Sequence, residues 1–234
     1  MASPKAAPAS KRPEDAGGSA HLLYKEIIRG LYQGRYVPGQ RLVETDLTHA
    51  FDISRSSVRE ALNRLSAAGI VELKLYHGAH VRHLTRAQAN DILVLLEPMI
   101  GLAARLAAER IGTGDHARRL RASHARLTGF RSNPDSLDSI QARDEFYAAL
   151  IAIGGNQELA RIMPSMQVHL VRAQFRAFRP AFEDKRFDDY DLISKAVLAG
   201  DGPRAESAGR RHIQHVRKGL AALPDAAFAP DARN

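Results

Sequence analysis

No cysteine occurs in the chain, which excludes disulfides, thiolate zinc sites and thiol catalysis. No apolar run approaches the roughly 18 to 20 residues that a membrane span requires, and residues 1–18 lack the apolar core of a secretory signal. A soluble, intracellular protein with no membrane partner is expected. Gly-rich phosphate loops, Gly-x-Ser-x-Gly elbows and His-Glu-x-x-His motifs are also missing, so an enzyme is not expected. Basic residues, by contrast, are in excess: 34 Lys and Arg face 26 Asp and Glu, a formal charge of +8 that favours a polyanionic partner. Only part of that excess lies in residues 20–85, with nine basic against six acidic side chains. Placement of arginines must therefore carry any argument for nucleic acid.

A length of 234 residues fits a small module plus a larger domain of roughly 120 to 140 residues, and a hydrophobic fraction of 44% suffices for buried cores. Residues 1–19 have the Ala, Pro, Ser, Lys and Gly composition of a flexible arm, which serves as a plain leader or offers Lys5, Lys11 and Arg12 to phosphates. Leu22, Leu23, Ile27, Ile28 and Leu31 then trace a helical face from His21 to Tyr32, stopped by Gly34 and Pro38-Gly39. A second helix is expected over about Glu44 to Phe51 and a third over Ser54 to Ala68, closed by Gly69. Ile70 to Leu75 alternates apolar and charged residues, Tyr76-His77-Gly78 turns, and Ala79-His80-Val81 returns: a β-hairpin. Three helices and a two-stranded wing over residues 20–84 make a winged helix-turn-helix.

Residues 85–222 read as an all-α bundle, with helices over 91–111, 115–131, 136–154, 156–178, 187–200 and 202–221, so the fold class is mainly α. The halves meet at His83 to Arg86, too short a stretch for a long free linker. Residues 223–234 are expected to fray.

In the third helix Val58, Ala61, Leu62 and Leu65 recur at i, i+3, i+4 and i+7 and form the buried face. Arg55 and Arg59 share another, solvated side. In a helix-turn-helix the start of this helix reaches base edges, and an arginine paired bidentately with guanine discriminates by about 1–3 kcal/mol. Ser54 and Ser56 are short enough to let phosphates approach the helix N-terminus. Taken alone, the arginines equally suit a solvated face, with Glu60 and Arg64 as an i, i+4 pair.

The run Pro38-Gly39-Gln40-Arg41-Leu42-Val43-Glu44, then Leu47, Ile53-Ser54-Arg55-Ser56-Ser57-Val58-Arg59-Glu60-Ala61-Leu62, Arg64-Leu65, Gly69-Ile70-Val71, Gly78 and Val81 resembles the GntR family of bacterial transcriptional regulators. The resemblance implies that Ser54, Arg55, Ser56 and Arg59 contact double-stranded operator DNA together with His77 and Gly78 of the wing. Thr45 completes that set, at a position where some members carry arginine. Farther on, Gly101-Leu102-Ala103-Ala104-Arg105-Leu106-Ala107-Ala108-Glu109-Arg110, Glu145-Phe146-Tyr147 with Gly154-Gly155-Asn156, Ile193 to Asp201 and Ala205 to His212 resemble the FCD effector domain of the FadR-type branch. That resemblance implies a cytoplasmic, nucleoid-associated homodimer that responds to a small molecule.

Many members of that branch hold a divalent metal with one Asp or Asn and three His. At those positions this chain has Arg143, Tyr147, Tyr190 and His212, so one ligand type of four is kept and neither metal nor other cofactor is expected. Asp144 lies about 100° around the helix from Arg143 and is a poor substitute. Arg143, two tyrosines and His212 suit an anionic ligand, an aromatic carboxylate included, and His169 and Arg172 at i and i+3 are candidates to join them. The bland reading keeps Arg143 on a neighbouring carboxylate and the tyrosines as core residues. The expected function is a repressor released from a palindromic operator by a small organic carboxylate. An architectural DNA-binding protein without effector is the alternative.

Overall fold

Helix α1 (Pro13–Gln33) buries Leu23, Ile27 and Leu31, which recur at four-residue spacing on one face. The structure is a computed structural model that describes residues 13–134, 136–163, 171, 174, 175, 178 and 186–230. The chain divides into two units, Met1–Arg82 and His83–Asn234.

In the first unit, strand β1 (Arg41–Leu42) follows the Gly39 turn, and α2 (Glu44–Phe51) ends where Asp52 adopts a left-handed conformation. Helix α3 (Arg55–Ala67) is capped by Ser54, whose hydroxyl accepts a hydrogen bond from the Ser57 amide at 3.1 Å. Its buried stripe is Val58, Ala61, Leu62 and Leu65, each worth very roughly 1.5–3 kcal/mol for the larger side chains when buried. Both α1 and α2 pack on α3. Strands β2 (Val71–Lys74) and β3 (Gly78–Val81) form the wing, and β1 joins them in the antiparallel order β1-β3-β2. Arg41 faces His80, which faces Glu72 on the other side.

The second unit is helical. Helix α4 (Arg86–Arg110) opens with a reciprocal cap between Thr85 and Gln88. Next come α5 (His116–Thr128), α6 (Leu137–Gly154), α7 (Gln157–Ile162), α8 (Arg186–Leu198) and α9 (Gly202–Ala221). Helix α4 packs against α6, α8 and α9, while α5 closes on α6 and α8. Two glycines set the closest crossing: a Cβ on Gly209 would sit 3.0 Å from the Ile100 carbonyl oxygen and 3.1 Å from the Gly101 Cα. Backbone meets backbone there, so any side chain would force α4 and α9 apart.

The winged helix-turn-helix and the all-α domain are as the sequence led us to expect, with three corrections. Residues 13–19 are not part of a loose arm but the start of α1, where proline's fixed φ suits the first turn. The wing has three strands, because β1 adds to its edge. The segment after α9 does not fray. Leu223, Ala227 and Phe228 are buried, and the Phe228 ring lies 5.1 Å from that of Phe175 with the Arg86 guanidinium 4.2 Å above it. Arg86 also donates to the Leu223 carbonyl at 2.7 Å and the Asp225 carboxylate at 2.8 Å. Gln174, itself buried, accepts from the Leu84 amide at 2.7 Å and donates to the Leu84 and Ala227 carbonyls at 2.8 and 3.0 Å. The Ala229 amide donates to the same Leu84 oxygen. Lys5, Lys11, Arg12, His169 and Arg172 lie outside the described residues, as does most of the helix expected over 156–178 beyond Ile162.

Candidate functional site

Two clusters of side chains, one in each unit, offer chemistry. At the start of α3, Ser54 holds three contacts: its Oγ lies 2.8 Å from Ser56 Oγ, 2.9 Å from Ser57 Oγ, and accepts from the Ser57 amide. The serine knot fixes the first turn, so its free N–H groups face outward as an anion-binding end. Arg55, Ser56 and Arg59 are exposed, one turn separating the two guanidinium groups. Arg59 Nε donates to Glu44 Oε2 at 3.0 Å across the turn from α2. That pair is exposed on both sides, so it is worth about 0–1 kcal/mol. A bidentate bond to guanine is worth about 1–3 kcal/mol. An ion pair that weak leaves the Arg59 guanidinium available to a stronger acceptor.

Thr45 is exposed beside Glu44, its hydroxyl 3.4 Å from the Asp46 carboxylate. Glu60 accepts from Arg64 at 2.6 Å, the i, i+4 pair anticipated from spacing. In the wing, His77 Nδ1 lies 3.0 Å from the Leu75 carbonyl, and Gly78 takes φ +80°, a conformation L side chains rarely adopt. Neighbouring Tyr76 also has positive φ, at 63°, and is 93% exposed. The sequence reading passed over Tyr76, and its signal was available: an aromatic at a turn with no apolar partner in period.

The second cluster is buried between α6, α8 and α9. The Tyr147 hydroxyl and His212 Nε2 are 2.7 Å apart, and the Tyr190 ring centroid lies 6.1 Å from that of Tyr147 and 4.9 Å from that of His212. Arg143 precedes Tyr147 by four residues on the same face of α6 and is only 7% exposed. Arg143, Tyr147, Tyr190 and His212 are thus all buried, and the last three are in ring contact. Phe146 adds an edge-on contact to each tyrosine.

Asp189, which the sequence reading missed, organises this cluster. Its buried carboxylate accepts from His212 Nδ1 at 3.2 Å and from His215 Nδ1 at 2.8 and 3.0 Å. Burial disfavours its charge, but the hydrogen bonds and positive potential of the two imidazoles outweigh that and hold the carboxyl below its ordinary value. Both nitrogens of His212 are therefore engaged, one by a phenol and one by a carboxylate. Among the described residues no group of three or more His, Asp or Glu is arranged to hold a metal ion.

Comparison with known proteins gives matches in both units. Residues 20–81 match the family described as bacterial regulatory proteins, gntR family, and residues 88–215 match the FCD domain. The regulator LutR of Bacillus subtilis is 27% identical over 203 residues, covering 78% of this chain and 92% of its own. The transcriptional repressor RspR of Escherichia coli is 21% identical over 207 residues, covering 85% and 87%. A GntR regulator structure from Rhodococcus sp. RHA1 superposes with a TM-score of 0.73 at 22% identity, covering 90% of this chain and all of that one.

Proposed function

This chain belongs to the gntR family of bacterial regulatory proteins and carries the FCD domain, and from that premise we propose that it is a homodimeric repressor released from a palindromic operator by a small organic carboxylate. It is a DNA-binding transcription regulator and not an enzyme. The observation that carries the effector reading is Arg143, a guanidinium buried within one helical turn of the Tyr147–His212–Tyr190 cluster. A buried charge is costly unless it is paired, and guanidinium has five N–H donors, enough to keep a protein partner and still bind a carboxylate bidentately. An anion that binds one conformation of the unit more tightly than the other shifts the population, and operator affinity falls by that difference.

The pocket works without metal. An arginine replaces the acidic ligand of related sites, and His212 has no nitrogen left to give a cation. Dimerisation is assigned to α4, where Val94, Leu95 and Leu102 are exposed along one edge of a long helix and a second copy would cover them. The protein works in the cytoplasm on nucleoid DNA, and no helix among the described residues is long and apolar enough to cross a membrane.

A thermal-shift screen of aliphatic and aromatic carboxylates, followed by gel-shift titration on the operator, tests the proposal. An effector should raise the melting temperature by several degrees and release DNA, and Arg143→Gln should abolish both responses. A protein that responds to DNA alone is an architectural binder, and the repressor reading then fails.

A further inference from the structure

The two most exposed large apolar side chains among the described residues are neighbours at the tip of the wing. Tyr76 is 93% exposed and Leu75 78%, with Leu73 at 49% two residues before them. They follow the last paired residues of the hairpin, where Lys74 of β2 meets Gly78 of β3. A single exposed leucine is ordinary, but an aromatic and an aliphatic side chain projecting together from a turn mark a contact surface.

The turn holds that tyrosine out against its own preference. The His77 amide donates to the Lys74 carbonyl at 3.1 Å, so Leu75 and Tyr76 are the central pair of a β-turn. Only the second of the two has positive φ, a pattern that normally selects glycine or asparagine. A bulky ring in that conformation is an outlier, and strain of this kind gathers where side chains meet a ligand.

The surroundings of the ring identify the partner. From Lys74 to Arg82 the sequence contains no acidic residue. Lys74 and His77 flank the tip, and Arg41 Nε lies 3.7 Å from where a Cβ on Gly78 would sit. Glu72, the nearest acid in sequence, is shared between Lys74 at 3.6 Å and Arg82 at 3.5 Å. An apolar edge in a cationic collar suits a polyanion with an apolar interior. Duplex DNA is one, with phosphates for the collar and stacked bases for the ring.

We infer that Leu75 and Tyr76 form a wedge that enters between base pairs from the minor groove, unstacking one step and kinking the duplex. Surface contact by His77 and Gly78 requires no such distortion. The inference needs only the DNA binding of the family to which the chain belongs, and is independent of what the second unit binds. Pyrimidine–purine steps open most easily, so the wedge selects such a step without a hydrogen bond to either base.

Duplexes enriched from a random pool by the full wild-type chain provide the probe, and circularly permuted fragments carrying them report the bend. The wild-type chain should bend them by at least about 20°. Tyr76→Gly should bring the bend below half of the wild-type value and weaken binding at least about fivefold, the lower end of what a base stacked on an aromatic contributes. That variant should nevertheless melt no lower than wild type, since glycine relieves the strained φ. Tyr76→Phe should keep the bend, because the ring and not the hydroxyl enters the stack. A smaller wild-type bend, a bend that survives in Tyr76→Gly, or one lost in Tyr76→Phe overturns the inference. So does a Tyr76→Gly chain that bends DNA fully but no longer binds phosphatidylserine vesicles, which gives the tip to a lipid surface. Failure to enrich any duplex sinks the wedge together with the DNA-binding assignment.

Discussion

The functional side chains of the two units live in opposite environments. Arg55, Arg59 and Ser56 stand in solvent at the start of α3, where Arg59 makes a surface ion pair and Ser56 a hydroxyl contact with Ser54, whereas Arg143 is buried and Tyr147, Asp189, Tyr190 and His212 are buried and linked by hydrogen bonds and ring contacts. An exposed reader can be altered with little harm to the fold, because surface changes usually shift stability by less than about 0.5 kcal/mol. A buried sensor cannot be touched so freely. Recognition of DNA and recognition of the effector should therefore separate cleanly by mutation in one direction and poorly in the other.

Asp189→Ala should give the largest effect. Removing one partner of a buried charged network costs about 3–5 kcal/mol, so calorimetry should show melting lowered by roughly 10 °C in a unit of this size. Next, Arg55→Ala and Arg59→Ala should each cost about 1–3 kcal/mol of operator discrimination with melting unchanged; retained sequence preference in a gel-shift assay breaks the recognition-helix assignment. The comparison is sharpened by pH. Asp189 titrates lower in the folded chain than in the unfolded one, so its ionised form stabilises the fold above the unfolded value of about 3.9, and that contribution is lost as pH falls through the lowered folded value. The melting gap between wild type and Asp189→Asn should thus be constant above about pH 5 and narrow below about pH 4. Smallest is Glu44→Gln: freeing Arg59 from an exposed pair worth up to about 1 kcal/mol should tighten operator binding by no more than about fivefold, and less at high salt.

The same contrast governs what could be read from the sequence. Helix α2 was expected at Glu44–Phe51 and occurs there, and the α3 stripe from Val58 to Leu65 follows its period, since both are written in neighbouring residues. Strand β1 has two residues and no period to detect; it exists because β3 offers an edge. Asp189 was overlooked because comparison with metal-binding relatives draws attention to Tyr190, its neighbour, and nothing local says that a carboxylate will meet imidazoles more than 20 residues away. Phe228 falls in the tail expected to fray, and the placement of Arg86 and Phe175 against its ring makes it core. Long-range partners, more than composition, set the limit.

The grip of Gln174 and Ala229 on Leu84 bears on how the chain is made. The helices and wing that read DNA are complete at Arg82, yet the last hydrogen bond to Leu84 is supplied by a residue about 145 positions further on. At a synthesis rate of about 5–20 residues per second, the DNA-binding unit precedes the closed FCD domain by roughly 7 to 30 seconds. For that interval a nascent chain holds a complete DNA-binding unit and an unfinished FCD domain, and ribosome-bound chains stalled before Phe228 are where operator binding by the first unit alone should be sought.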